Sequence, residues 1–124
     1  ATALVYSRGS VPATTLGMLQ KGMTSVTAAS KVAYTAVAGD QIVVDTVANP
    51  VTITLPASPA VGDEVTIMDG SASNGFATNN CIIDRNSENI EGAAANDTLA
   101  TNNQCVTLIY ANAAKGWLYK STNQ

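Results

Sequence analysis

Between Val51 and Asp69 apolar and polar positions alternate, break off, and alternate again. Val51, Ile53 and Leu55 are interleaved with Thr52 and Thr54; Val65 and Ile67 are interleaved with Glu64, Thr66 and Met68. A period of two predicts half-buried strands, and Val, Ile and Thr suit a pleated surface. Pro56 and Pro59 stop the first strand because proline has no N–H for a ladder. Gly62-Asp63 then turns the chain into the second. The same pattern continues from Lys31 onward and predicts strands at Val32–Val37, Gln41–Asp45, Val51–Leu55, Glu64–Asp69, Cys81–Arg85, Asn89–Glu91, Val106–Tyr110 and Trp117–Lys120. The separators are rich in Gly, Asn, Asp and Ser, and no run has a helical period. The expectation is an all-β fold: an antiparallel β-sandwich or jelly-roll-like domain.

Residues 1–30 read differently. Gly9, Pro12, Gly17 and Gly22 interrupt them, and only a short strand at Leu4–Ser7 is predicted. Yet Leu4, Val5, Tyr6, Leu16, Met18, Leu19 and Met23 are too apolar for a free disordered tail. Two readings stay open: an extended N-terminal arm that orders against another subunit or a larger surface, or an arm that wraps its own domain. The division is therefore an arm over 1–30 and a β body over 31–124. Thr78-Asn79-Asn80 and Thr101-Asn102-Asn103 each precede a predicted strand, an echo too short to define a repeat.

Composition narrows the function classes. Of the 124 residues only 12% are charged, about half the usual share, so the surface is built from small neutral groups. The net charge is −3, and the six basic residues are scattered, with no stripe to neutralise phosphates; nucleic acid is not an expected partner. No apolar run approaches the roughly 20 residues of a helical membrane span, so no membrane partner is expected. The first residues lack the charged and apolar regions of a signal peptide, which predicts synthesis in a cytoplasm.

Candidate chemistry is sparse. The chain has no histidine, hence no ordinary proton shuttle and no common hydrolase triad, and no cofactor is expected. Asp40, Asp63, Asp69 and Asp84 fall at turns or strand ends, where carboxylates serve the backbone. Asp84, Asn86, Glu88 and Asn89 have the spacing that opens a calcium loop but lack its glycine and distal glutamate, and a solvated turn is the reading preferred over a metal site. Cys81 shares parity with Ile83, whereas Cys105 is opposite in parity to Val106, Leu108 and Tyr110, which predicts two free thiols. Trp117 and Tyr119 share one strand face; they predict core or subunit interface, with a glycan-stacking platform as the alternative.

The order Ile53-Thr-Leu-Pro-Ala to Gly62-Asp63, Val65 to Asp69, Phe76-Ala-Thr-Asn-Asn80, Asp84-Arg-Asn86, Ile90-x-Gly92, and Val106-Thr-Leu-Ile-Tyr110 to Gly116-Trp117 resembles a β-rich module of tailed-bacteriophage structural proteins. The resemblance covers about residues 50 to 120, and every shared residue is strand, turn or core. It implies a non-enzymatic virion protein at the particle surface, assembling as a trimer, with the N-terminal segment as anchor. Leu4, Val5, Tyr6, Arg8, Leu16, Met18 and Leu19 would then contact the major capsid protein, another virion protein or a neighbouring subunit. A chain this short has no room for a fibre shaft, which favours a capsid decoration, or cement, protein. The alternative is a tail fibre or spike-type adhesin binding a host glycan.

Overall fold

The computed structural model describes residues 22–27 and 31–123, and among these it holds nine β-strands and no helix. In chain order they are β1 (Met23–Thr27), β2 (Ala33–Thr35), β3 (Gln41–Asp45), β4 (Val51–Thr54), β5 (Glu64–Asp69), β6 (Cys81–Asp84), β7 (Asp97–Leu99), β8 (Cys105–Asn112) and β9 (Gly116–Asn123). They form two sheets, ordered β1-β3-β5-β8-β9 and β2-β4-β6-β7.

The sheets are mixed, not antiparallel, which corrects the expectation drawn from alternation and removes the jelly roll. β1–β3, β3–β5, β2–β4 and β4–β6 are parallel pairs, whereas β5–β8, β6–β7 and β8–β9 are antiparallel. The reason lies in the path: from β1 to β6 successive strands enter alternate sheets. The next strand of either sheet comes two strands later and runs the same way. Parallel neighbours normally need a long crossover, usually a helix; here a strand of the opposite sheet serves as the crossover. One passage through both sheets is a coil. The first coil carries Met23 to its partner Gln41 and Ala33 to its partner Thr52. The next is longer, carrying Gln41 to Thr66 and Val51 to Cys81.

Alternation does set which side chains are buried. Ile42 and Val44 of β3, Val65 and Ile67 of β5, and Val106 and Leu108 of β8 are buried while their neighbours are half-buried. They join Val51, Ile53, Cys81, Ile83 and Leu99 of the other sheet in one apolar cluster, completed by Phe76 and Trp117. Removing such area from water is the main stabilising contribution.

Three differences from the expected strands are local. β1 lies within 1–30, yet it pairs along its whole length with β3 and buries Val26, so this part belongs to the β body. Asn89–Glu91 is no strand; only Ile90 forms isolated bridges, to Ala93 and to Trp117. β7, three residues long, occupies a stretch read as connection. The strand expected at Leu4–Ser7 lies outside the described residues. Cys81 on β6 and Cys105 on β8 are free, as their opposite parity predicts; they sit in different sheets.

Candidate functional site

Because β2, β4 and β6 run in one direction and β8 opposes β5, four connections gather at one end of the molecule: 36–40, 55–63, 85–96 and 113–115. Main-chain bonds knit them. Gly39 N donates to Glu64 O at 2.7 Å, Gly62 N to Tyr110 O at 2.9 Å, and Gly92 N to Lys115 O at 2.9 Å. The side chains there are small and mostly neutral: Ala38, Ala57, Ala60, the three alanines at 93–95, Ala113 and Ala114 are all exposed. Val37 and Val61 stand among them at 50% and 76% exposure. Isolated exposed apolar residues are ordinary. Arg85, Glu88, Glu91 and Lys115 stand in the same connections, so small exposed apolar side chains and charges share this end.

The carboxylates are committed to turns. Asp63 accepts Ala60 N, Asp45 accepts Val47 N, and Asp84 accepts Asn86 N. Buried Asp40 accepts the Val37 N–H and the Tyr34 hydroxyl. These are short side-chain-to-backbone bonds that fix a turn without reactive geometry. Asp69 does more than a strand end requires. It accepts N–H groups from Ser71, Phe76 and Asn103, so it joins the 70–80 connection to the turn before β8. The Thr101-Asn102-Asn103 segment reaches the same connection, where Ala77 N donates to Asn102 Oδ1, whereas Asn79 Nδ2 donates to Thr46 O. A Cβ added at Gly75 would fall 2.4 Å from Asp69 Oδ2, so any other residue there displaces this carboxylate. Burial raises the Asp69 pKa, but the bonds from Ser71, Phe76 and Asn103 outweigh it and leave the carboxyl below its ordinary 3.8.

The residues with calcium-loop spacing are divided among separate tasks. Asn86 Nδ2 donates to Leu55 O, Asn89 Nδ2 donates to Ala114 O, and Glu88 Oε1 accepts the Tyr110 hydroxyl at 2.9 Å. Among the described residues no group of three or more Cys, Asp or Glu side chains is placed to hold a metal ion.

Trp117 is 0% exposed, so its ring faces are closed to a sugar; it packs edge-on to Tyr110 with centroids 5.6 Å apart. Its Nε1 has no hydrogen-bond partner. Tyr119 is half-buried, donates its hydroxyl to Asp97, and has its main-chain N–H bound by Glu91. Burial, then the bond to Asp97, raises its pKa above the ordinary 10. The Tyr110 hydroxyl is raised as well, first by its bond to Glu88. The structure thus places both aromatics expected at an interface or glycan site in the β7–β9 region: Trp117 in the core, Tyr119 packed against it. Burial pushes the Cys81 thiol up to about 12, with the charge of Asp69 adding to the effect, so Cys81 behaves as a small apolar residue.

Leu4, Val5, Tyr6, Arg8, Leu16, Met18 and Leu19, the other expected interface residues, lie outside the described residues. The exposed Val37 and Val61 were missed by sequence reasoning, because an apolar residue beside a turn reads as the end of a strand. Comparison with protein-family models matches none of them, and no curated protein matches the chain.

Proposed function

We propose that this chain is a non-enzymatic virion structural protein of a tailed bacteriophage, a capsid decoration protein that binds and stabilises the head surface as a trimer. The observation that carries the reading is the connection end, where exposed alanines stand with Val37 and Val61 while Asp40 and Asp63 of the same connections are bound to its own backbone. A surface of this kind gives affinity by desolvation and close packing, the means available to a cement protein. We read the two sheets as the faces of a sandwich, which holds this end rigid. The adhesin alternative loses its principal stacking surface with Trp117 in the core.

Co-sedimentation with phage heads lacking the protein tests the proposal. The unaltered chain should pellet with the heads and raise their resistance to heat, while Val61→Asp should bind at least tenfold more weakly with its own melting temperature unchanged. Failure of the unaltered chain to bind any head, combined with retention on a glycan array, would replace this reading with the adhesin.

A further inference from the structure

Several asparagines of this molecule hold turns through their side chains. Asn79, Asn86 and Asn89 donate from Nδ2 to the carbonyls of Thr46, Leu55 and Ala114. Asn96, Asn102 and Asn112 accept the N–H groups of Arg85, Ala77 and Lys115 at Oδ1. Asn74 does neither: its side chain is exposed and makes no hydrogen bond among the described residues. It takes a φ of +48°, a conformation asparagine tolerates better than most residues. Gly75 follows it, and no other glycine of the sequence is preceded by asparagine. The Gly75 N–H donates no hydrogen bond among the described residues, and Gly75 has no side chain to crowd an approach to that nitrogen. Asn80 and Asn103 precede Cys81 and Gln104, which carry such side chains, and Asn49 precedes Pro50, which has no N–H. The nearby Asp69-Gly70 pair could undergo related chemistry but is locked. Gly70 N donates to Val44 O at 2.8 Å, and the Asp69 carboxylate is held by the N–H groups of Ser71, Phe76 and Asn103.

We propose that Asn74 is a site of spontaneous deamidation in the folded protein, with water as the co-reactant. The Gly75 nitrogen attacks Asn74 Cγ. The N–Cγ bond forms, the Cγ–Nδ2 bond breaks, and ammonia leaves with the proton from the Gly75 nitrogen. Water then opens the resulting succinimide ring at either carbonyl, and no electrons are transferred. Opening at Cγ gives aspartate. Opening at the main-chain carbonyl gives isoaspartate, whose main chain runs through Cβ and Cγ and is one carbon longer. Position makes the second product consequential. Gly75 lies so close to Asp69 that a Cβ on it would fall 2.4 Å from Oδ2, and that same oxygen accepts the N–H groups of Phe76 and Asn103. Phe76 is 0% exposed in the core. A main-chain carbon inserted next to Gly75 therefore shifts Phe76 N against Asp69 and loosens the joint between the 70–80 connection and the turn before β8. The inference concerns the chemistry of this connection and stands or falls apart from the virion reading.

Storage of the folded full chain in mildly alkaline water enriched in heavy oxygen, followed by peptide mapping in a mass spectrometer, decides it. Label should enter the peptide that contains Asn74 at least about tenfold faster than any other asparagine peptide. Asn74→Ser should take up no label there. The isoaspartate fraction, separated by chromatography, should show faster hydrogen exchange at Phe76 and Asn103 than the fresh protein, with β3 unchanged. Asn74→Asp, which adds the charge without the extra carbon, should keep the exchange of the fresh protein at both amides. Faster labelling of another asparagine in the folded chain overturns the assignment of the site. Labelling of Asn74 only after unfolding in denaturant overturns it as well. Unchanged exchange at Phe76 and Asn103 in the isoaspartate fraction overturns the loosening of the joint.

Discussion

Among the described residues, the β7–β9 side and the β1–β2 side of the sheets differ in what lies along their edges. At the β7–β9 side the 85–96 connection lies along the outer edge of β9. Glu91 N donates to Trp117 O and Trp117 N to Asn89 O, at 2.8 Å each, and Tyr110 and Tyr119 donate their hydroxyls to Glu88 and Asp97. The edge is closed by main-chain bonds, the Tyr119–Asp97 pair ties the two sheets, and the Tyr110–Glu88 pair ties β8 to the connection. At the β1–β2 side no described residue does the same. Closing an edge has a local cost: Glu91 takes a φ of +53°, and Gly116 a φ of +69° at a point where no side chain fits. The lesson is that this edge is sealed by a few strained, specific positions.

The comparison breaks most sharply at Trp117. Trp117→Ala removes the largest fully buried side chain next to the closed edge and should cost about 3–5 kcal/mol, read as a fall in the denaturant midpoint with an unchanged slope. Gly116→Ala is the narrower probe. Its Cβ would fall 1.9 Å from Asn89 O, so the 85–96 connection must move away. A loss of about 2 kcal/mol is expected, with faster exchange at Ile90 and Glu91 and none at β3. The smallest effects compare two exposed valines. Val32→Ser should cost about 1 kcal/mol, because half of its side chain is withdrawn from water beside β2. Val61→Ser, on the connection end, should stay within about 0.5 kcal/mol of the unaltered protein. Equal costs at the two valines would mean that the withdrawn half of Val32 adds nothing measurable to stability.

Strand positions were legible where both faces of a sheet have a consistent fate. Gln41–Asp45 and Glu64–Asp69 match β3 and β5 residue for residue, because half of each strand is buried by one core and the other half is not. β1 was hidden because Met-Thr-Ser-Val-Thr holds a single buried apolar residue, Val26, in an interrupted segment. β7, with only Leu99 buried, was too short to show a period. Strand direction was not legible at all. Alternation reports which residues face inward, and it is the same for parallel and antiparallel neighbours; the usual sign of parallel pairing, an intervening helix, is replaced here by a strand. Of the candidate site, the burial of Trp117 followed from its size and its parity with Tyr119. The joining role of Asp69 did not, since two of its three backbone partners, Phe76 and Asn103, come from distant turns.

The alternating path between sheets also bears on how the chain folds. Parallel sheets are ordinarily slow to form, because their strands are far apart along the chain and a long loop must close before any contact rewards it. Here the parallel partners are close in sequence, from Met23 with Gln41 at the nearest to Val51 with Cys81 at the widest, and each new coil lays its strands on the coil before it. The β8–β9 hairpin is more local still, with Asn112 paired to Gly116. The distant closure is β5 against β8, where Thr66 faces Thr107 across 41 residues of sequence. By this count of sequence separation, the β5–β8 seam and not the parallel pairs is where slow closure is expected.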